Sequence, residues 1–246
     1  MEQRQILAYY ACRYNGDWNR IAQAEISHET PVITEIPTPY ITICDGNYPD
    51  TLKQLRYPPF VLFYEGDISL LQKSCITVIG SREADSYGCY VTEQICRRLS
   101  SRYVLVSGLA KGIDGIVHSS AIRSGGHTIG VIGSGLSVHY PYVNEPLYQT
   151  MRKDHLILSE YPYRTGVRKH HFPWRNRILA ALSGKIIVTQ AKVRSGTMLT
   201  VNEALELNRE VWCVPHLFDD EMGRGCGLLV QQGANLLYET EQLEEF

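Results

Sequence analysis

CITVIGSREADSYGCYVTEQICRRLSSRYVLVSGLAKGIDGIVHSSAIRSGGHTIGVIG, residues 75–133, carries the pattern from which the rest of the chain is read. Three apolar runs, CITVIG (75–80), YVLVSG (103–108) and HTIGVIG (127–133), each end in glycine. Between them Val91, Ile95 and Leu99 share one helical face, and Ile113, Ile116, Val117 and Ala121 share another. Continuous apolar strands alternating with amphipathic helices specify a parallel sheet covered on both faces. Downstream, HLILSE (155–160), KIIVTQ (185–190) and EVWCVP (210–215) read as further strands. Met198, Val201 and Leu205 mark a helix, and GLLVQQG and ANLLYE supply a last helix and strand. Upstream, YITI and FVLFY within 40–74 read as a lead-in strand with irregular packing. Ile6, Leu7, Tyr10 and Ala11, then Trp18, Ile21 and Ala22, predict two short helices before the proline-bearing TPVITEIPTPY. The expected fold is therefore α/β, a doubly wound, mostly parallel sheet with a short helical N-terminal appendage (1–39) ahead of the main domain (40–246).

Composition excludes several classes. In 246 residues, 44% are hydrophobic and 20% charged, which is ordinary for a globule and unlike a disordered chain. No apolar stretch approaches the roughly 20 residues of a membrane span, and the N-terminus lacks the parts of a secretory signal. A cytoplasmic protein is expected, its seven cysteines reduced and mostly buried. Neither a metal site nor a cofactor is expected, because no HExxH, paired CxxC or nucleophile motif occurs.

Glycines cluster where a doubly wound sheet binds ligands, beyond the carboxyl ends of the strands. They lie in Gly80-Ser81-Arg82, in Ser107-Gly108-Leu109-Ala110-Lys111-Gly112-Ile113-Asp114, in Gly133-Ser134-Gly135 and in Arg194-Ser195-Gly196-Thr197. Turns of this kind bring backbone N–H groups and helix N-termini to an anion. GSGLSV lacks the third glycine of the dinucleotide fingerprint, and no loop fits GxxxxGK[ST], so a nicotinamide dehydrogenase and a P-loop ATPase are disfavoured.

The net charge of −2 argues against a nucleic-acid partner only until its distribution is read. Residues 161–202 hold eight basic and no acidic residues, whereas the other 204 hold 16 basic and 26 acidic, a balance of −10. At the window's centre, RKHHFPWRNR (168–177) interleaves Phe172 and Trp174 with cations. Cations neutralise phosphates, and an aromatic face stacking on an unpaired base contributes ~1–3 kcal/mol. The competing reading makes both aromatics core anchors of a loop.

Four segments in order resemble the DNA-processing protein A (DprA/Smf) family of bacterial proteins that bind incoming single-stranded DNA during transformation. They are VIGSREADSYG (78–88), LVSGLAKGIDGIVHSSAIRSGGHTIGVIGSGLSVHYP (105–141), SEYPYRTGVRKHHFPWRNRILAALSGKIIVTQAKVRSGTMLTVNEAL (159–205) and REVWCVPHLFDDEMGRGCGLLVQQGA (209–234). The resemblance implies an extended Rossmann fold and a non-enzymatic protein that dimerises, loads the RecA recombinase and displaces single-strand-binding protein. It implies a DNA pocket formed by Ser81 and Arg82; Ser107, Gly108, Lys111 and Asp114; Lys169 and Phe172; and Arg175, Asn176 and Arg177. Arg82, Lys111, Lys169 and Arg175 are expected to neutralise phosphates, the backbone at Gly80, Gly108 and Gly112 to cradle one, and Phe172 to stack on a base. Asp114 either holds Lys111 or Arg82 through a charge-assisted hydrogen bond or faces the helix dipole as a first-turn acid. His118 reads as a packing or hydrogen-bonding residue. Against the family, the segment before residue 40 is shorter than the usual helical N-terminal domain, and a winged-helix domain is not expected. The alternative is a Rossmann-like phosphoribohydrolase or nucleotide sensor, because RSGTMLTVNEA (194–204) distantly resembles the PGGxGTxxE element of those proteins and offers Glu203 as a carboxylate.

Overall fold

The computed structural model describes residues 2–32 and 35–246. Ile33 and Thr34, within the expected linker, and Met1 of the appendage lie outside the described residues. The chain begins with α1 (Gln3–Arg13) and α2 (Trp18–Ile26), then β1 (Tyr40–Thr42), α3 (Asp50–Lys53) and β2 (Val61–Gly66). The alternating part follows as β3 (Cys75–Ile79), α4 (Ser86–Leu99), β4 (Val104–Ser107), α5 (Ile113–Arg123), β5 (Thr128–Ile132), α6 (Glu145–Asp154) and β6 (Leu156–Ser159). It continues through α7 (His171–Ala181), β7 (Lys185–Val188), α8 (Gly196–Glu206), β8 (Glu210–Cys213), α9 (Arg224–Gln231) and β9 (Asn235–Leu236).

One sheet runs β1-β2-β6-β5-β4-β3-β7-β8-β9 among the described residues. From β6 to β9 every pairing is parallel, while β1–β2 and β2–β6 are antiparallel. The 40–74 stretch, expected to give one lead-in strand and irregular packing, thus extends the sheet by two strands. Winding proceeds outward from β3 in both directions, through β4, β5 and β6 on one side and β7, β8 and β9 on the other. The crevice above β3 is the topological switch point, where such sheets bind ligands.

Side chains along each strand divide the core between two faces. Val104 and Val106 of β4 join Ile178 and Leu179 of α7, whereas Leu105 joins Ile95, Ile113 and Val117 of α4 and α5. On the far side of the sheet Leu7, Tyr10, Ile21 and Ala24 of the first two helices share a cluster with Val61, Phe63, Ile132 and Ile157. Capping sets where α4 begins, with the Asp85 carboxylate accepting from Gly88 N at 2.8 Å. Three helices went unread in the sequence, α3, α6 and α7, and α7 contains most of the RKHHFPWRNR segment, which the competing reading set in a loop. Cys96, Cys213 and Cys226 are buried, but Cys12 and Cys44 are exposed, against the expectation of mostly buried thiols. Among the described residues no helix is long and apolar enough to cross a membrane.

Candidate nucleic-acid interface

At the switch point a cavity of about 650 Å³ opens between the turn after β3, the N-terminal ends of α7 and α8, and the loop after β7. Gly80 begins the first wall because nothing larger fits: a Cβ there would lie 2.6 Å from Ile113 Cγ1 and 3.0 Å from the Gln190 carbonyl. Ser81 N donates to that carbonyl at 2.8 Å, and Ser81 O accepts from Ile113 N at 3.1 Å, tying β3 to the head of α5. Gly112 supplies the bend before α5 at φ +71°, where a side chain would also collide with the Ser81 and Arg82 backbone.

The cavity gathers eight of the residues expected at the site: Gly80, Ser81, Arg82, Asp114, Lys169, Phe172, Arg175 and Asn176. Ser107, Gly108, Lys111, Gly112 and Arg177 are not on its wall. Lys111 is exposed on the neighbouring turn, while Ser107 is buried and donates to Val78 O at 2.7 Å. The exposed Arg82 guanidinium lies 5.3 Å from the centre of the half-buried Phe172 ring, a cation over an aromatic face. Among the described residues neither Arg82 nor Lys169 nor Arg194 forms an ion pair.

The two arginines of the RNR segment do something other than meet solvent. Arg175 is only 4% exposed and donates through Nη1 to the carbonyls of Gly108 (2.8 Å) and Val131 (2.5 Å), joining the ends of β4 and β5. Its buried Nε–H has no acceptor among the described residues. An unsatisfied buried donor of this kind costs the fold stability. Arg177 is buried against Glu160 at 2.6 Å, donates to Tyr57 O and Trp174 O, and holds its guanidinium 4.3 Å from the Trp174 ring. Trp174 packs in turn on Tyr57. The anchoring role therefore falls to Arg177 and Trp174, in place of the DNA contact expected of Arg177.

Asp114 also has different partners from those expected. It is buried in the first turn of α5 and accepts from Ala110 N at 3.4 Å, with no hydrogen bond to Lys111 or Arg82. Burial pushes its carboxyl above the usual carboxylate range, and the charge of Arg175 opposes that shift. It therefore orders the turn and balances Arg175 from within. His118 is buried as a structural residue: Nε2 accepts from Leu109 N at 3.3 Å, which leaves Nδ1–H to donate to Thr128 Oγ1 at 2.7 Å. Burial lowers its pKa from the ordinary 6.5 to about 3. The unfolded chain protonates this histidine first, so its contribution to stability is complete above pH 6.5 and is lost as pH falls toward 3. Its ring-proton NMR resonances should hold neutral-imidazole positions from about pH 8 down to about pH 5. A titration midpoint near the ordinary value would overturn this assignment.

The fourth glycine loop read from the sequence, Arg194-Ser195-Gly196-Thr197, does reach the wall, although no DNA contact was assigned to it. Lys192, Arg194, Ser195 and Thr197 come from the turn that opens α8. Thr197 Oγ1 donates to Gly80 O at 3.0 Å, and Asn176 Nδ2 reaches Gly196 O at 3.4 Å, drawing that turn against β3 and α7. The glycine in RSGT was its signal. Tyr140, whose ring lies 5.9 Å from Phe172, had none. Arg82, Lys169, Arg175, Lys192 and Arg194 stand against Glu83 and Asp114, and Glu83 lies 3.7 Å from Lys192. The N-termini of two eleven-residue helices add partial positive charge. This wall is built for anions. Glu203, the carboxylate of the alternative reading, is half-buried on α8 and does not line it.

The sequence model of the DNA recombination-mediator protein A family matches residues 39–246. The chain is 42% identical to the DNA processing protein DprA of Streptococcus pneumoniae over 218 residues, which cover 89% of this chain and 77% of that protein. The crystal structure of DNA processing protein A from the same species superposes with a TM-score of 0.83 at 36% identity, covering 99% of this chain and 93% of that one. DNA processing protein A from Helicobacter pylori, described for its single-stranded DNA binding mode, superposes with a TM-score of 0.76 at 28% identity, covering 85% of this chain and 96% of that one.

Proposed function

The chain belongs to the DNA recombination-mediator protein A family (DprA/Smf), and from that premise we propose that it binds single-stranded DNA at the switch-point cavity, breaks no bonds, and passes the strand to a RecA recombinase. The observation that carries this reading is the pairing of Arg82 with Phe172 at the mouth of a cation-rich cavity. A phosphate engages Arg82 and Lys169 while the Phe172 face receives an unpaired base. Arg175 adds its charge from beneath the floor, and Lys192 and Arg194 draw the backbone along the α8 side. A duplex offers the cations the same phosphates, but its bases are paired and stacked and cannot reach Phe172.

Protection of the strand, exchange with single-strand-binding protein and RecA loading rest on family membership. So does the division into an appendage (1–39) and a DNA-binding domain (40–246), which the family match beginning at residue 39 supports. We place a homodimer contact at the β9 end of the sheet. There an outer strand carries Leu236, 40% exposed, and Leu217 and Phe218 are 86% and 94% exposed on the loop after β8.

Fluorescence anisotropy with equal-length single-stranded and duplex oligonucleotides tests the function. Single strands should bind more tightly at every salt concentration, with the logarithm of affinity falling linearly against the logarithm of salt. Equal duplex affinity across the series would overturn the proposal.

A further inference from the structure

A second basic cleft lies on the other side of the α7 N-terminus, and we propose that it holds the continuation of the same strand, so that the first two helices contribute nucleotide contacts. The inference rests on the single-strand reading above. The cleft measures about 410 Å³ and lies between the α1–α2 turn and the start of α7. Helical geometry divides the beginning of α7 and the residues before it between the two hollows. Lys169, Phe172, Pro173 and Asn176 face the switch-point cavity, whereas Arg168, His170, His171 and Trp174 face the second cleft. A strand leaving the first hollow therefore meets the second by crossing one helix end. The helix dipole there favours a phosphate at the crossing, although His171 N already donates to Arg168 O at 3.1 Å and Pro173 has no N–H to offer.

Accounting for charge in the cleft points to the same ligand. Arg13 is committed to Glu29 at 3.1 Å, and the Asp17 carboxylate caps α2 by accepting from Arg20 N at 3.1 Å. Arg13 and Glu29 offset each other, and Asp17 leaves one negative charge against Arg20 and Arg168. The exposed guanidiniums of Arg20 and Arg168 remain without an ion pair among the described residues. Arg20 lies 4.5 Å from the centre of the Tyr14 ring, presenting a flat cation on which a base can stack. His170 is also exposed, its ring edge-on to His171. Guanidinium forks beside flat faces suit a phosphodiester with bases better than a lone anion. Size adds a reason: a hollow of about 650 Å³ encloses one drug-sized ligand, on the order of one or two nucleotides, and the rest of a strand must run elsewhere.

The test is anisotropy on the full chain with oligothymidylates lengthened stepwise from the shortest that binds. The variant Arg20→Glu, Arg168→Glu should hold the shortest oligomer within about twofold of the unaltered protein and lose about tenfold or more on the longest. Its salt slope on the long oligomer should shrink by about 1.4, because each lost phosphate contact contributes about 0.7. Arg20→Glu alone should show a smaller loss in the same direction, and circular dichroism checks that both variants are folded. Identical length dependence in variant and unaltered protein would show that the strand does not enter the cleft. Equal loss on short and long oligomers would place these arginines at the first cavity and sink the separate subsite. If the unaltered protein binds no oligomer of any length, the single-strand reading itself falls, an outcome distinct from the other two.

Discussion

Arg177→Ala is expected to lower the free energy of unfolding by about 3–5 kcal/mol, the cost of removing one partner from a buried ion pair. Arg177 and Glu160 are each 3% exposed and meet at 2.6 Å. Alanine would strand the Glu160 carboxylate, whose Oε2 already has no partner among the described residues, and would release the carbonyls of Tyr57 and Trp174. Burial pushes the Glu160 carboxyl up, and the Arg177 charge restrains it. Without that charge the carboxyl becomes easier to protonate, so the variant's folded state gains relative stability as pH falls. The deficit should therefore be smaller at about pH 5 than at about pH 7.5. Urea denaturation at the two pH values measures both effects. A loss below about 1 kcal/mol at neutral pH would mean that the pair is not a structural anchor.

Arg82→Ala is expected to weaken single-strand binding by about 1–3 kcal/mol, roughly 5- to 150-fold, with unfolding stability changed by no more than about 0.5 kcal/mol. The contrast follows from placement. Arg82 is exposed and pairs with no acid among the described residues, so the fold loses little when it is shortened. The cavity loses a phosphate fork and the cation covering Phe172. Arg82→Lys should fall between the two proteins, because charge survives but the planar fork does not. A titration curve for Arg82→Ala that overlays the unaltered protein would remove Arg82 from the interface.

How much of this was legible in the sequence depends on whether a residue's surroundings leave a local trace. The parallel strands did, because burial on both faces demands the unbroken runs at 75–80, 103–108 and 185–190. Helix α7 did not. Every residue from Arg175 to Ala181 is buried, so this part of the helix has no exposed face to set a period, and Pro173 reads as a breaker although proline is tolerated in a first turn. In α6 only Tyr148 and Met151 are buried, too few for a stripe. The basic window pointed to the cation-rich cavity but could not separate its cations by depth. Arg175 and Arg177 turn inward, while Lys169 and Arg194 stay outside. Likewise the helical position of Asp114 was readable, but its partner lay 61 residues away on α7.

Arg175 has one more consequence, for the kinetics of capture. By joining the ends of β4 and β5 beneath the cavity, it fixes the wall before any strand arrives. The ordering entropy of the encounter then falls on the nucleic acid rather than on the protein. A homopyrimidine strand, floppy and weakly stacked, enters at little cost. A homopurine strand must first break its own base stack, and it does so while the rigid wall waits unchanged. If the strand binds at the proposed site, base composition would thus tune occupancy through the stiffness of the strand.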